Sequence, residues 1–158
     1  MAHHTVVFAD KTAYLFGGRT GDGELTNQML SFNISGKTFE PVETHGKPPP
    51  QCYGHTMSYF AKNNVIFIYG GRNDILENPF LNQITLFHVG LSMYTDVNDL
   101  IKIREIKKKE NEEERARYCF AGSFNSESLV YLYGGSNAEG FSNSITFFKF
   151  DMRLTPKI

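Results

Sequence analysis

The chain lacks tryptophan, has only two cysteines, and carries a net charge of -1 over its 158 residues. Two cysteines are too few for a disulfide scaffold, which favours a reducing, cytoplasmic compartment. Without a basic excess, nucleic acid is not expected as a partner. No apolar run reaches about 18 residues and the N-terminal residues lack the layout of a secretory signal. Neither a membrane nor a secreted location is therefore expected.

Glycine and aromatic residues are abundant instead, with 14 glycines, 14 phenylalanines and 8 tyrosines. Strand-forming aromatics together with turn-forming glycines are typical of many short strands joined by tight turns. The hydrophobic share of 41% is enough for a folded core. The composition therefore predicts an ordered, strand-rich chain.

Two sequence elements recur three times along the chain. Three apolar runs each end in a glycine pair, at 17–18, 70–71 and 134–135. After each pair comes an Asn with an apolar residue two positions on and a Phe five positions on, which gives Phe32, Phe87 and Phe148. Two landmarks with nearly the same period indicate a structural repeat.

Each repeat predicts four strands, labelled a to d. Strand a covers about 4–8, 55–60 and 120–124, and strand b is the apolar run before each glycine pair. Strand c begins at the repeated Asn, and strand d lies around Phe39 and Tyr94, ahead of a proline-rich link. Unbroken apolarity in strand b predicts an inner strand that is buried on both faces.

This order of elements resembles the kelch repeat, one blade of a β-propeller. The residues that carry the resemblance best are Gly54-His55-Thr56, Gly70-Gly71, Asn82 and Tyr94. Phe39 and Tyr94 stand where kelch blades usually have Trp, while Cys52 and Phe120 stand where they often have Arg and His. The resemblance implies an all-β fold of kelch-type β-propeller blades, each with four antiparallel strands, in an incomplete ring.

The repeat divides the chain into about three blades: blade 1 over about 1–47, blade 2 over about 48–100 and blade 3 over about 116–158. A charged insertion over about 101–115 follows blade 2, where a solvated loop is favoured over a partner-docking segment. Kelch rings usually close with more blades than three. The chain is then expected to be part of a longer protein, to dock on another protein, or to associate with a second copy, in that order of preference.

Nothing in the chain predicts a catalytic residue, a metal site or a cofactor. No helix is predicted after the glycine-rich segment 17–23, and Gly36-Lys37-Thr38 lacks the remainder of a phosphate-binding loop. The five histidines lack clustered ligand spacing. His4 and His55 share one repeat position, which favours a hydrogen bond to a neighbouring strand or turn. Cys52 and Cys119 are expected to be free, partly buried thiols.

The strand order predicts where binding occurs. The a–b and c–d turns lie on one face of the blades, and the long, polar b–c loops lie on the other, together with the links between blades. Loops held by a rigid scaffold often carry function. Arg19 and Arg72 both follow a glycine pair, and a guanidinium binds a carboxylate bidentately. The candidate binding residues are Arg19, Asp22, Arg72, Asn73, Asp74 and Asn137.

These observations favour a non-enzymatic interaction module or scaffold that binds a protein or acidic peptide through the b–c loop face. Self-association or docking through exposed blade faces is a second kind of contact. The alternatives are a targeting module of a larger enzyme, such as a protein phosphatase, or a kelch-type enzyme. A cytoplasmic location is expected, with cytoskeletal or ciliary sites among the options.

Overall fold

Three antiparallel sheets follow one another along the chain in a computed structural model that describes residues 1–96, 116–124, 129–143 and 145–149. Two single-turn 3₁₀ helices, Ala61–Asn63 and Val89–Leu91, interrupt the strands. No α-helix occurs within the described ranges, and none of their helices is long and apolar enough to cross a membrane.

Four strands form the first sheet in the order β1-β2-β3-β4. They are β1 (Thr5–Ala9), β2 (Thr12–Phe16), β3 (Met29–Asn33) and β4 (Thr38–Pro41). The second sheet repeats this order with β5 (Thr56–Phe60), β6 (Val65–Tyr69), β7 (Ile84–His88) and β8 (Met93–Asp96).

The third sheet has the order β13-β10-β9, with β9 (Ala121–Phe124), β10 (Leu129–Tyr133) and β13 (Ile145–Lys149). A small hairpin of β11 (Ser136–Asn137) and β12 (Gly140–Phe141) lies within its b–c loop. The expected all-β architecture of antiparallel blades in an open ring is confirmed, with four strands in each of the first two sheets and three described strands in the third. The predicted blade boundaries stay predictions, and the insertion 101–115 and the turn 125–128 lie outside the described residues.

Two apolar layers join the three sheets. The first contains Phe16 from β2 together with Ile66 and Phe87 from the second sheet. The second contains Phe67 and Tyr69 from β6, packed with Val130 and Leu132 of β10. Because side chains alternate along a strand, β6 contributes to both layers and all five of its residues are buried. Burial on both faces, predicted for strand b, is therefore confirmed for β6.

The same prediction is wrong for β10. Val130 and Leu132 are 0% and 1% exposed, but Tyr133, on the opposite face, is 56% exposed. In the described part of the chain, no sheet packs against that face. Phe8 on the outer face of the first sheet is likewise 71% exposed. An apolar strand can be buried on both faces, but each face is buried only where a neighbouring sheet packs against it.

The a strands lie side by side, which brings the same repeat position of each sheet into contact. The Gly54 amide donates to His3 O at 3.2 Å, and the Cys119 amide donates to Gly54 O at 2.6 Å. All three residues have left-handed backbone, with φ of 56°, 64° and 54°. The entry to strand a thus has one backbone shape in every repeat, whichever residue occupies it.

The first glycine of each of the first two pairs gives room to the next sheet. A Cβ on Gly17 would lie 2.8 Å from Cys52 O and from the His55 ring, and a Cβ on Gly70 would lie 2.8 Å from Arg117 O. Both glycines also have positive φ, 62° and 69°. The first two glycine pairs therefore serve sheet-to-sheet packing, as predicted.

Candidate functional site

The b–c loops begin where the backbone pairs with the segment that leads into strand a. Isolated bridges join Arg19 to Ala2, Arg72 to Tyr53, and Ser136 to Tyr118. Arg19, Arg72 and Ser136 each directly follow a glycine pair. The repeated bridge fixes the direction in which Arg19 and Arg72 leave the backbone, so that both point into one surface at the loop face.

One carboxylate connects the two arginines. Arg19 Nη2 donates to Asp74 Oδ2, and Arg72 Nε donates to Asp74 Oδ1 at 2.5 Å. Tyr53 Oη donates to Oδ2 of the same carboxylate at 3.2 Å. The arginine and aspartate side chains remain about one-third exposed. Two positive charges share one negative charge, which leaves a net positive, solvent-accessible group.

Aromatic rings lie beneath both guanidinium groups. The Arg19 Cζ atom is 4.5 Å from the centroid of the Tyr53 ring, and Arg72 Cζ is 5.2 Å from Phe80 and 5.3 Å from Tyr118. These distances are in the range of cation–π contacts, which orient a guanidinium while its edge stays available to acceptors. The arginine–tyrosine cluster is defined as Arg19, Tyr53, Arg72, Asp74, Phe80 and Tyr118.

Electrostatics follow from this arrangement. Burial raises the pKa of the Asp74 carboxyl, but hydrogen bonds from Arg72 and Tyr53 and the charges of Arg72 and Arg19 outweigh it, so that its pKa lies below the ordinary value. The hydrogen bond to Asp74 raises the pKa of Arg72. Burial raises the pKa of Tyr53, so its hydroxyl keeps its proton as a donor. At neutral pH the cluster therefore holds both arginine charges and an ionised Asp74.

Three of the predicted binding residues lie outside the cluster. Asn73 is buried, and its Oδ1 accepts from the Ile75 amide at 3.0 Å. Asn137 Oδ1 accepts from the amides of Glu139 and Gly140. Both asparagines thus shape their own loops. Asp22 is exposed in the turn of the first b–c loop.

The aromatic members of the cluster are absent from the sequence-based candidates. Tyr53 and Tyr118 occupy the same repeat position, next to Cys52 and Arg117, and their rings are 5.9 Å apart. An aromatic residue repeated before strand a of the second and third repeats was a usable signal for this surface. Phe80 has no comparable signal, because its position in the long loop depends on the bridge to Arg72.

Cys52 and His55 form a buried pair between the first and second sheets. His55 Nδ1 lies 3.6 Å from Cys52 Sγ, and the His55 ring meets Phe16 edge-on at 5.3 Å. Burial lowers the pKa of His55 to about 4, helped by the charge of His4 and opposed by the backbone of Phe16. Burial also raises the pKa of the Cys52 thiol to about 12, which keeps it protonated and unreactive.

Neither thiol is partly buried as expected, because Cys52 is fully buried and Cys119 is exposed, although both are free. The two histidines also differ, since His55 is buried whereas His4 is exposed on the first sheet. In the third sheet the corresponding residues are Arg117, which is buried, and Phe120, which is half-buried. Arg117 is 2% exposed and donates to Gly134 O at 3.3 Å. These positions maintain contacts between sheets.

Metal-ligating side chains do not gather in groups of three or more within the described ranges. The arginine–tyrosine cluster is chemically suited to binding an anion through oriented guanidinium groups.

Comparison with known proteins identifies the fold family. Residues 3–155 match the KLHDC2/KLHL20/DRC7 Kelch-repeats domain. The chain belongs to the kelch-repeat family. Kelch-repeat domains generally act as protein interaction modules, so this kelch chain is of a kind that binds proteins.

Three curated proteins contain segments similar to this kelch chain. The Rho GTPase-activating protein gacHH of Dictyostelium discoideum is 32% identical over 92 residues, which is 58% of this chain and 6% of that protein. Multiple epidermal growth factor-like domains protein 8 of Homo sapiens is 28% identical over 98 residues, 59% of this chain and 3% of that protein. Tip elongation aberrant protein 3 of Schizosaccharomyces pombe is 26% identical over 151 residues, 90% of this chain and 12% of that protein. The kelch chain spans only a small part of each of these relatives.

Proposed function

We propose that this kelch chain binds an acidic peptide segment of a protein partner at the arginine–tyrosine cluster. The observation that supports this proposal is the sharing of Asp74 by Arg19 and Arg72, both held on aromatic rings. A carboxylate is already the ligand of these two guanidinium groups. A partner carboxylate has the same chemistry and enters from the solvent side.

The arrangement reduces the cost of binding. Arg19 and Arg72 are oriented by the Tyr53, Phe80 and Tyr118 rings before a partner arrives. Ordering a long side chain costs about 0.5–1.5 kcal/mol at an interface, and this cost is already met in the free chain. The excess positive charge also steers an acidic segment to the surface, an effect that salt weakens.

The similarity to a segment of the Rho GTPase-activating protein gacHH supports a second proposal. In this reading the chain is a targeting module of a larger enzyme, and its own loop face still binds the partner. A cytoplasmic location, with cytoskeletal or ciliary sites among the options, stays a prediction. Both proposals place the binding energy in the same cluster.

The double variant Arg19→Ala/Arg72→Ala should bind Glu- and Asp-rich peptides at least about tenfold more weakly than the unaltered chain, because two charge-assisted contacts are lost. Fluorescence anisotropy with labelled acidic peptides measures this change. The matched control is Lys37→Ala/Lys62→Ala, which removes the same charge from exposed turns on the opposite face.

In the same titration, Asp74→Asn should bind the acidic peptides more tightly. Neutralising Asp74 removes the internal carboxylate that competes for Arg19 and Arg72. Equal losses in the double arginine variant and in the lysine control would contradict the proposed site. Such a result would indicate that net charge alone attracts the peptide.

A further inference from the structure

The two interfaces between neighbouring sheets use one recurring contact. Phe16, the last residue of β2, meets the His55 ring edge-on at 5.3 Å. Tyr69, the last residue of β6, meets the Phe120 ring edge-on at 5.7 Å. In both cases the ring that ends strand b receives a ring that stands before strand a of the next sheet. The receiving side of a sheet is called its tail, and the inserting side its head.

The third sheet presents a tail that no described sheet covers. Tyr133 pairs with Ile145 in the register in which Tyr69 pairs with Ile84. Tyr69 and Ile84 are each 2% exposed, whereas Tyr133 and Ile145 are 56% and 53% exposed. The same positions that form a buried layer on the second sheet therefore face solvent on the third.

The loop beside this tail is exposed in the same way. Phe141 pairs with Ser136 as Phe80 pairs with Arg72. Phe80 lies against Tyr118 of the following sheet, at 5.9 Å between ring centroids. Phe141 is 98% exposed. The tail thus extends from the centre of the sheet to its b–c loop.

The first sheet presents a head that no described sheet receives. His4 stands before β1 as His55 stands before β5, and it is exposed, whereas His55 is 4% exposed. Val6 and Phe8 on the outer face of β1 are 40% and 71% exposed. Met57, the repeat equivalent of Val6, is 6% exposed. The missing half of each open interface is therefore present at the other end of the same chain.

We propose that the tail of one copy receives the head of a second copy, and that two copies close into one ring. His4 of each copy then lies edge-on against Tyr133 of the other, and Val6 and Phe8 cover the apolar tail. Each copy has one head and one tail, so a closed pair forms two equivalent interfaces and leaves none open.

Among assemblies of identical copies, the number of described sheets favours two copies. Propellers typically contain about four to eight blades. The three main sheets that the structure describes in one copy fall below that range, and three copies would supply more sheets than it allows. Two copies supply six. Burial of aromatic and aliphatic side chains at both junctions provides the driving force.

Sedimentation equilibrium of the 158-residue chain over a range of concentrations tests the proposal. The expected mass is twice that of one chain, which is 17.9 kDa. A mass of one chain at every concentration would overturn the proposal, and would indicate that another protein or further blades cover the two faces. Growth beyond two copies would overturn ring closure.

Single substitutions separate the head from the tail. Phe8→Glu alters the head and Tyr133→Glu alters the tail, and each should weaken the dimer at least about tenfold. The matched control is Leu91→Glu, an equally apolar and 43% exposed position in the turn before β8 of the middle sheet. It should leave the dimer unchanged. Circular dichroism establishes that each variant is folded.

Mixing the two variants gives the sharpest readout. A mixed dimer has one unaltered head against one unaltered tail, so the mixture should associate more tightly than either variant alone. A dimer that survives both substitutions would overturn the proposal. A dimer that only one of them breaks would also overturn it, because head-to-head or tail-to-tail pairing would then explain the association.

Discussion

Individual residues differ between repeats that share one backbone. His3, Gly54 and Cys119 all adopt left-handed φ, although glycine alone adopts it at little cost. The repeat reveals that these positions correspond. It does not reveal that His55 is buried while His4 is exposed, because burial requires a preceding sheet and is decided by the neighbour.

The residues of the candidate site could likewise be predicted only in part from the sequence. Arg19 and Arg72 could be paired from the sequence because each follows a glycine pair. Their common contact with Asp74 could not, because Asp74 is 55 residues from Arg19 and belongs to another loop. Its carboxylate reaches both arginines only after two sheets have packed together.

The buried His55 predicts a pH-dependent stability. Its pKa is about 4 in the folded chain and about 6.5 when unfolded, so the unfolded state binds the proton first as the pH falls. The free energy of unfolding should therefore decrease between pH 6.5 and 4, by at most about 1.4 kcal/mol per pH unit from this group. Urea unfolding at a series of pH values measures the slope.

The variant His55→Phe should remove this contribution, because Phe120 already occupies the same position in the third sheet. His45→Phe, at an exposed position, is the control and should keep the slope. A slope that is the same in His55→Phe and the unaltered chain would assign the pH dependence to other groups.

At the scale of elements, the strand pattern could be predicted closely. The glycine pairs and the repeated Asn marked the ends of strand b and the start of strand c, and β2, β6, β10, β3, β7 and β13 lie where these landmarks predict. The small hairpin β11–β12 was not predicted, because a two-residue strand leaves no periodic signal. The apolar run of β10 predicted burial on both faces, whereas the expected incomplete ring already implied exposed blade faces.

The end of strand b gives a prediction about packing. Gly70→Ala should destabilise the chain by about 1–2 kcal/mol from its positive φ, and more from the 2.8 Å approach of a Cβ to Arg117 O. Gly21→Ala is the control, because nothing lies within 4 Å of a Cβ there. Its effect should stay within about 0.5 kcal/mol. Urea unfolding of both variants measures the difference, and equal stabilities would contradict a packing role for Gly70.

At the scale of the whole molecule, the sheets form a stack with a fully covered middle. The second sheet packs against the first through Ile66 and Phe87, and against the third through Phe67 and Tyr69. The outer sheets each have one covered face. Stability within a single chain should therefore be highest in the second sheet and decline toward both ends.

Hydrogen exchange followed by mass spectrometry tests this gradient. In the Tyr133→Glu variant, whose tail is altered, the amides of β6 and β7 should exchange more slowly than those of β2 and β10. Slower exchange in β2 or β10 would contradict the stack. In the unaltered chain, β2 and β10 should gain protection with concentration if a second copy covers the open faces.

Because Asp74 is shared by two arginines, binding of a partner at this carboxylate affects the contact between the first two blades. Arg19 lies in the b–c loop of the first sheet, whereas Arg72 and Asp74 lie in the b–c loop of the second. The ion pair between Arg19 and Asp74 therefore connects two neighbouring blades. A partner with a single acidic group that binds Arg19 in place of Asp74 would break this ion pair and weaken the contact between the two blades at the loop face. A partner with two adjacent acidic groups would bind Arg19 with one group and Arg72 with the other, so that its own backbone would connect the two blades. The spacing of acidic residues in a bound peptide would thus determine how rigidly the first two blades are held together at the b–c loop face.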